Sequence, residues 1–329
     1  MFGVDSPAYV AIRAVMYLAA MLVIGSCAFI LLIATRVAHL SQQVSDVQLP
    51  PVGPSTRLLA RWAAVVLVFA MIGRLLAQTY MVGEGDFSML MPIVRTSLWG
   101  WGWLLGAAST LVIVAALFFA HGKRSRWRVT AAGAIGLALS FSLTGHAATA
   151  ARPILFVMLD CIHVMAAGGW LGTLLVVTTI GLHSVLALPV ERRGHASSQL
   201  INAFSTFALL CASTLVVTGF VAAWSHLPTV SALWQTHYGQ ALFRKLVVIA
   251  MMALVGAFNW RVIRPRLAKS DTIPLLRKSA AVELTFGLIV VILTAILVGT
   301  SPPDSEDAMP SMSSYTSSPS TFTSPRIST

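Results

Sequence analysis

Long apolar runs, separated by short polar stretches, fill most of the chain. They fall at about residues 9–35, 58–80, 99–120, 129–149, 154–182, 200–224, 241–262 and 280–299. A helix that crosses a bilayer needs roughly 20 apolar residues. In hydrocarbon every backbone N–H and C=O must be partnered inside the protein, so spanning segments are helices or closed barrels. These runs are continuous and lack the alternation of barrel strands. The pattern predicts an all-α polytopic transmembrane bundle of about eight spans over residues 1–300. Residues 301–329, rich in Ser, Thr and Pro, are expected to form a disordered tail. No internal repeat is evident, and the first run, without a small-residue cleavage site after it, is read as retained.

Composition agrees, with 57% hydrophobic and only 10% charged residues and a mean hydropathy of +0.82. The net charge of +11 would point a soluble protein toward nucleic acid. Here the basic residues flank the spans, where they set topology, and no nucleic-acid partner is expected. Loops after odd-numbered spans hold Arg36, Arg57 and Arg61; Lys123, Arg124, Arg126 and Arg128; Arg192 and Arg193; and a last group from Arg261 to Lys278. The opposite loops and both termini hold only Arg95, Arg152 and Arg326. Such an imbalance places the first set in the cytoplasm and both termini in the periplasm. Cys27, Cys161 and Cys211 each fall inside a span, which argues against a disulfide framework.

Orientation sorts the histidines. His39, His121, His183 and His195 sit in or beside the basic cytoplasmic loops. His146, His163, His226 and His237 are expected in the outer part of the membrane or just outside it. Imidazole suits copper, zinc and iron, so these four are candidate metal ligands. Met89 and Met91, in an outer loop with Met81, add soft donors suited to Cu(I). Asp160 and His163, three residues apart, share one helical face. A carboxylate at that depth normally faces the bundle interior, and the expectation is that Asp160 orients the His163 ring. Arg74 is expected to snorkel outward, and Glu283 to pair with Arg261, Asn259 or a neighbouring base. No GxxxxGK[ST] loop or Asp-Lys-Thr-Gly motif occurs, which excludes direct use of ATP. No CxxCH for covalent haem occurs either.

Several elements in order resemble the CopD family of copper-resistance membrane proteins. Gly145-His146-Ala147-Ala148 is followed by Asp160-Cys-Ile-His163 and by Ala167-Gly-Gly-Trp170-Leu-Gly172. Then come Phe204-Ser205, Thr218-Gly219, Tyr238-Gly239-Gln-Ala-Leu242 with Lys245, Asn259-Trp-Arg261, Leu276-Arg277, Glu283 and Pro302. The resemblance covers roughly residues 145–303; the first 140 residues match only in hydropathy and span count. It implies a bacterial inner-membrane protein, not an enzyme, that moves copper from periplasm to cytoplasm. A separate periplasmic CopC-like copper-binding protein is the implied partner, beside the lipid bilayer. The family's motif positions fall here on His146, Asp160, His163, Trp170, Tyr238, Lys245, Asn259 and Glu283, with Asp160, Lys245, Asn259 and Glu283 on the path rather than as ligands. The family is also distantly similar to haem-binding membrane proteins. The alternative is therefore a membrane redox protein holding haem b between outer histidines, and a weaker third idea is an assembly role in respiratory-complex maturation.

The orientation is directly testable. Reporter fusions at positions 124 and 268 should read cytoplasmic, and fusions at 88, 232 and 310 periplasmic. A cytoplasmic reading at 310 would overturn the arrangement with both ends outside.

Overall fold

A computed structural model of the chain describes residues 6–44, 52–145, 152–226, 229, 231–266 and 273–299, and these contain no strand. Among them, eight long helices carry the fold: α1 Pro7–His39, α2 Gly53–Val82, α3 Leu98–Phe119, α4 Lys123–Leu143, α5 Pro153–Leu186, α6 Val190–His226, α7 His237–Ile263 and α8 Ile273–Leu297. Each expected run lies largely within one of them, and the bundle is all-α, as the hydropathy pattern predicted. Most of the helices overrun their apolar runs, because the ladder of hydrogen bonds continues past the hydrocarbon. His39, His183 and His195 are therefore helical. The expected tail at 301–329 lies outside the described residues.

Seven of the eight helices are long and apolar enough to cross a membrane by length and composition. The exception is α4, four of whose first six residues are basic. Even so, α4 runs antiparallel to α3 along its length. Gly102 lies against Thr144, Gly106 against Ser140, and Gly133 against Ile113. The first and last helices are also tied. Arg13 of α1 donates from Nη1 to the Ala295 carbonyl of α8 at 3.2 Å, so α1 starts where α8 finishes. Beside it, the Tyr9 hydroxyl donates to Gln78 Oε1 near the end of α2 at 2.7 Å.

The central helix is α1, which packs on α2, α4, α5 and α8. Half of its apolar stretch is buried, against 11% for α6 and α7, which lie at the periphery of the bundle. Lipid tails are as apolar as leucine, so burial does little to hold such helices together; close packing of small residues and polar ties must do it. The closest approach is between α1 and α5. A Cβ built on Gly172 would lie 1.9 Å from the Met21 carbonyl oxygen, and one on Gly25 would lie 2.1 Å from the Gly172 carbonyl carbon. Thr173 Oγ1 donates across this seam to the Gly25 carbonyl at 3.3 Å. Gly168–Gly172 on the α5 side is wound as a π-helix, a widened turn often found at functional positions.

An internal echo, not evident in the sequence, appears in three dimensions. In the first half, a short helix, Leu90–Thr96, leads into Ser97, whose Oγ accepts the N–H of Gly100 at 2.9 Å and opens α3. In the second half, Ala232–Gln235 leads into Thr236, whose Oγ1 accepts the N–H of Gly239 at 2.9 Å and opens α7. Gly100 and Gly239 each press against carbonyl oxygens of the preceding short helix, so neither has room for a Cβ. The first and fifth helices likewise both begin with proline in the first turn, contain a π-helical segment, and meet through one glycine each. Sequence comparison within the chain misses this because the shared features are hydrogen-bonded caps and contacts, carried by Ser in one half and Thr in the other.

The glycine seam yields a stability prediction. Gly172→Ala should push α1 and α5 apart and cost at least the about 1–3 kcal/mol typical of overpacking. Gly53→Ala, where a Cβ meets nothing within 4 Å, should be neutral or stabilise by up to about 1 kcal/mol. Thermal midpoints in detergent compare the two; equal midpoints would show that the seam is not closed.

Candidate functional site

The half of the bundle toward the start of α1 gathers four polar side chains from three helices. Asp160 and His163 stand one turn apart on α5, about 10 and 15 Å from its start at Pro153. Thr218 comes from α6 and Lys245 from α7. His163 Nδ1 lies 2.8 Å from Thr218 Oγ1. The Thr218 hydroxyl donates its one proton to the Thr214 carbonyl at 2.7 Å, so toward the ring the oxygen acts as acceptor. In that arrangement Nδ1 is the protonated ring nitrogen, the tautomer that leaves Nε2 with its lone pair. A hydrogen bond at one nitrogen that fixes the other as a donor to metal is a recurrent feature of metal-binding imidazoles. Gly219, next to Thr218, lies beside the ring: a Cβ there would make ordinary van der Waals contact with His163 Cε1 at 3.5 Å.

Lys245 lies within charge–charge range of both His163 and Asp160, and Asp160 also acts on Tyr17 of α1. The expected arrangement, with Asp160 as the group that orients His163, is thus replaced at Nδ1 by Thr218. The residue was visible in the sequence only as part of Thr218-Gly219; nothing in its spacing announced that α6 would present it to α5. Thr218 is buried, which leaves its oxygen few other partners.

The remaining outer candidates do not all join this group. His237 is the first residue of α7 and exposed, eight residues and so about 12 Å along the helix from Lys245. His146 lies outside the described residues, as does the side chain of His226. Met89 and Met91 are exposed on the segment Phe87–Met89 and the short helix Leu90–Thr96. Beside them the Ser88 hydroxyl and backbone N–H, at 2.6 and 2.8 Å, hold the Asp86 carboxyl below the usual carboxylate range. Among the described residues no three of His, Cys, Asp and Glu form a ready-made metal cage.

A second polar layer lies toward the other end. Asn259 Nδ2 donates to Glu283 Oε1 at 2.6 Å, and the Ser279 hydroxyl donates to Asn259 Oδ1. Asn259 is the partner chosen from the expected alternatives; Arg261 is exposed. Glu283 is buried, and Asn259 begins a π-helical turn, Asn259–Ile263. Lys245 and Asn259 are fourteen residues apart on α7, about 21 Å, so the two layers sit well apart in depth.

Arg74 corrects another expectation. It does not snorkel: its side chain is only 3% exposed. Nη2 donates to Thr144 Oγ1 at 2.9 Å, the guanidinium lies 5.5 Å from the Trp99 ring centroid, and among the described residues Nε and Nη1 have no hydrogen-bond partner. The reason is geometric, since α3 and the end of α4 cover the face of α2 that carries it. Arg13, not singled out in the sequence, is also buried and lies 4.1 Å over the Tyr9 ring.

Comparison with known proteins fits this picture. Residues 4–153 match the family described as copper resistance protein D-like, N-terminal domain, and residues 198–297 match copper resistance protein D. The chain is 24% identical over 264 residues to copper transport protein CutJ of Bacillus subtilis, covering 76% of this chain and 47% of that protein. It therefore spans about half the length of CutJ. It is 26% identical over 290 residues to copper resistance protein D of Pseudomonas syringae pv. tomato, covering 78% of this chain and 86% of that protein. No solved structure matches significantly. With the N-terminal and main domains of one family found in order along a bundle of apolar helices, the chain belongs to the copper resistance protein D family of multi-pass membrane proteins.

Proposed function

We propose that this protein carries copper across the bacterial inner membrane, from periplasm to cytoplasm, without direct use of ATP. The observation that carries the reading is the contact of His163 Nδ1 with Thr218 Oγ1; with the hydroxyl proton given to the Thr214 carbonyl, Nε2 is the donor offered to the ion. Asp160 supplies a negative charge one turn away, and Lys245 balances it while no cation is present. An arriving copper ion takes over that balance. Relatives named for copper transport and copper resistance support the choice of cargo. Beyond this layer the ion passes toward the Asn259–Glu283 pair, where a carboxylate and an amide oxygen offer the next polar station.

All eight helices cross the membrane in this reading, and both termini face the periplasm. The pairing of α4 with α3 and the tie between Arg13 and Ala295 support an even number of crossings, and the Lys/Arg imbalance supports the direction. Copper is delivered by a separate CopC-like periplasmic protein to the face that carries Met89, Met91 and His237, with His146 and His226 as further outer imidazoles. Residues 301–329 form a periplasmic tail outside the transmembrane domain of residues 1–300.

Copper accumulation in cells, normalised to the amount of protein in the membrane, tests the site. His163→Ala should abolish it. Thr218→Val keeps the shape but frees the ring, and should lower uptake by about 10–100-fold, as loss of a group that orients a ligand does; Thr218→Ser should restore most of it. Asp160→Asn should give a defect of similar size, about 10–100-fold. Combining Thr218→Val with His163→Ala should be no worse than His163→Ala alone, since groups acting as a unit are not additive. Normal uptake by His163→Ala would place the path elsewhere.

A further inference from the structure

At the Lys/Arg-rich end of the bundle, the last carbonyls of α3 are covered by guanidinium groups. Arg57 of α2 donates from Nε to the Leu117 carbonyl at 2.9 Å and from Nη2 to the Phe118 carbonyl at 3.3 Å. Arg61, one turn on, makes the same pair at 3.1 and 3.4 Å. Arg126 of α4 donates from Nε and Nη2 to the Ala120 carbonyl. Such contacts satisfy the orphan carbonyls and the negative end of the helix dipole. A helix end carries only about half a unit of negative charge, however, and three full positive charges meet it.

Each of the three arginines spends one edge, Nε with Nη2, on the helix end. In each, Nη1 makes no hydrogen bond among the described residues. The charged side chains that act on Arg57 are Arg126 and Arg61, both repulsive, and among the described residues no carboxylate joins them. The neighbouring surface is apolar and open to lipid: Trp62 is 64% exposed and Phe119 73% exposed, with Leu58 between the two arginines of α2. Arg61 also lies 4.7 Å over the Phe118 ring, which fixes its plane.

We propose that Arg57, Arg61 and Arg126 form a binding site for the phosphate group of an anionic phospholipid, whose acyl chains lie along Leu58, Trp62 and Phe119. Arginine's planar fork suits phosphate oxygens, and basic pockets between helices at a membrane surface are where anionic headgroups dock. The phosphate supplies the missing negative charge and accepts the Nη1 donors, while the helix end keeps the other edges. Bound lipid thereby ties α2, α3 and α4 together at one point. The site is independent of the copper reading and of which side of the membrane it faces.

The test is native mass spectrometry of the full-length protein in neutral detergent, titrated with phosphatidylglycerol, phosphatidylcholine or glycerol 3-phosphate. Phosphatidylglycerol should bind tightly, phosphatidylcholine weakly, and glycerol 3-phosphate should not compete. The double variant Arg57→Gln/Arg61→Gln keeps amide donors for the carbonyls and should weaken phosphatidylglycerol binding by more than roughly tenfold, given about fivefold per basic residue near an anionic lipid surface. Arg124→Gln/Arg128→Gln, exposed at the same end, should change it by less than about threefold. Should the glutamine pair fail to fold, Arg57→Lys/Arg61→Lys keeps the charge but loses the fork, and should bind less lipid than the parent protein. Equal losses in the two glutamine pairs, unchanged binding in the first, or lysine variants that bind as well as the parent would each overturn the site. Full competition by glycerol 3-phosphate would make it a soluble-phosphate site and overturn the lipid assignment.

Discussion

The α1–α5 contact at Gly25 and Gly172 is the constraint on which the rest of the bundle hangs. Inside a bilayer, apolar area drives helices together only weakly, so their spacing is decided by what can touch. With hydrogen in place of a side chain on both sides, the backbones of α1 and α5 come into direct contact, and Thr173 closes the seam with a bond to the Gly25 carbonyl. The same approach sets where the outer part of α5 can stand. Asp160 and His163 lie two to three turns outward from Gly172, so their position relative to α6 and α7 follows from that contact. Around it the core divides, with one apolar cluster over α1–α4 and another over the end of α1, α5, α6, α7 and α8.

Polar groups inside this protein are of two kinds. Most are tied to the structure: Thr and Ser hydroxyls donate back to carbonyls one turn earlier, Trp103 Nε1 donates to the Met71 carbonyl at 3.1 Å, and three arginines close the end of α3. A smaller set departs from what packing needs. His163 with Thr218, Asp160 with Lys245, and Glu283 with Asn259 place titratable groups at two depths, where their desolvation has to be offset by each other. Intramembrane ionisable residues are costly enough that they mark pathways more often than scaffolds. Arg74, buried with two nitrogens unpartnered among the described residues, is the clearest departure, and its position toward the end of α2 puts it on the same side as the His163 group.

The echo between the halves gives the division between the two matched family domains a structural meaning. The N-terminal match, residues 4–153, covers α1–α4, and the second match, residues 198–297, covers most of α6–α8. In both halves the third long helix opens from a short helix through a hydroxyl cap and a glycine. The chemistry is not repeated with the architecture. Arg13, Arg74 and Arg126 are the buried charges of the first half, whereas Asp160, His163, Lys245 and Glu283 occupy the second.

The membrane class, the helical character and the position of each long helix were legible in the chain, because a span must be continuous, apolar and about as long as the bilayer is thick. The family was legible as well, since its motif residues cluster over residues 145–303. Asp160 and His163 could be placed on one face from their spacing alone, as helical periodicity is local. What lies across from that face could not, because contacts between α5, α6 and α7 join residues more than fifty positions apart and depend on how close α1 lets α5 come. Hence Thr218 rather than Asp160 holds Nδ1 of His163, and Arg74 is covered by α3 and α4 instead of reaching outward. The internal echo was hidden for a related reason. Two caps made by different hydroxyl residues are alike only in hydrogen-bond geometry, and geometry of that kind exists only once the helices have packed.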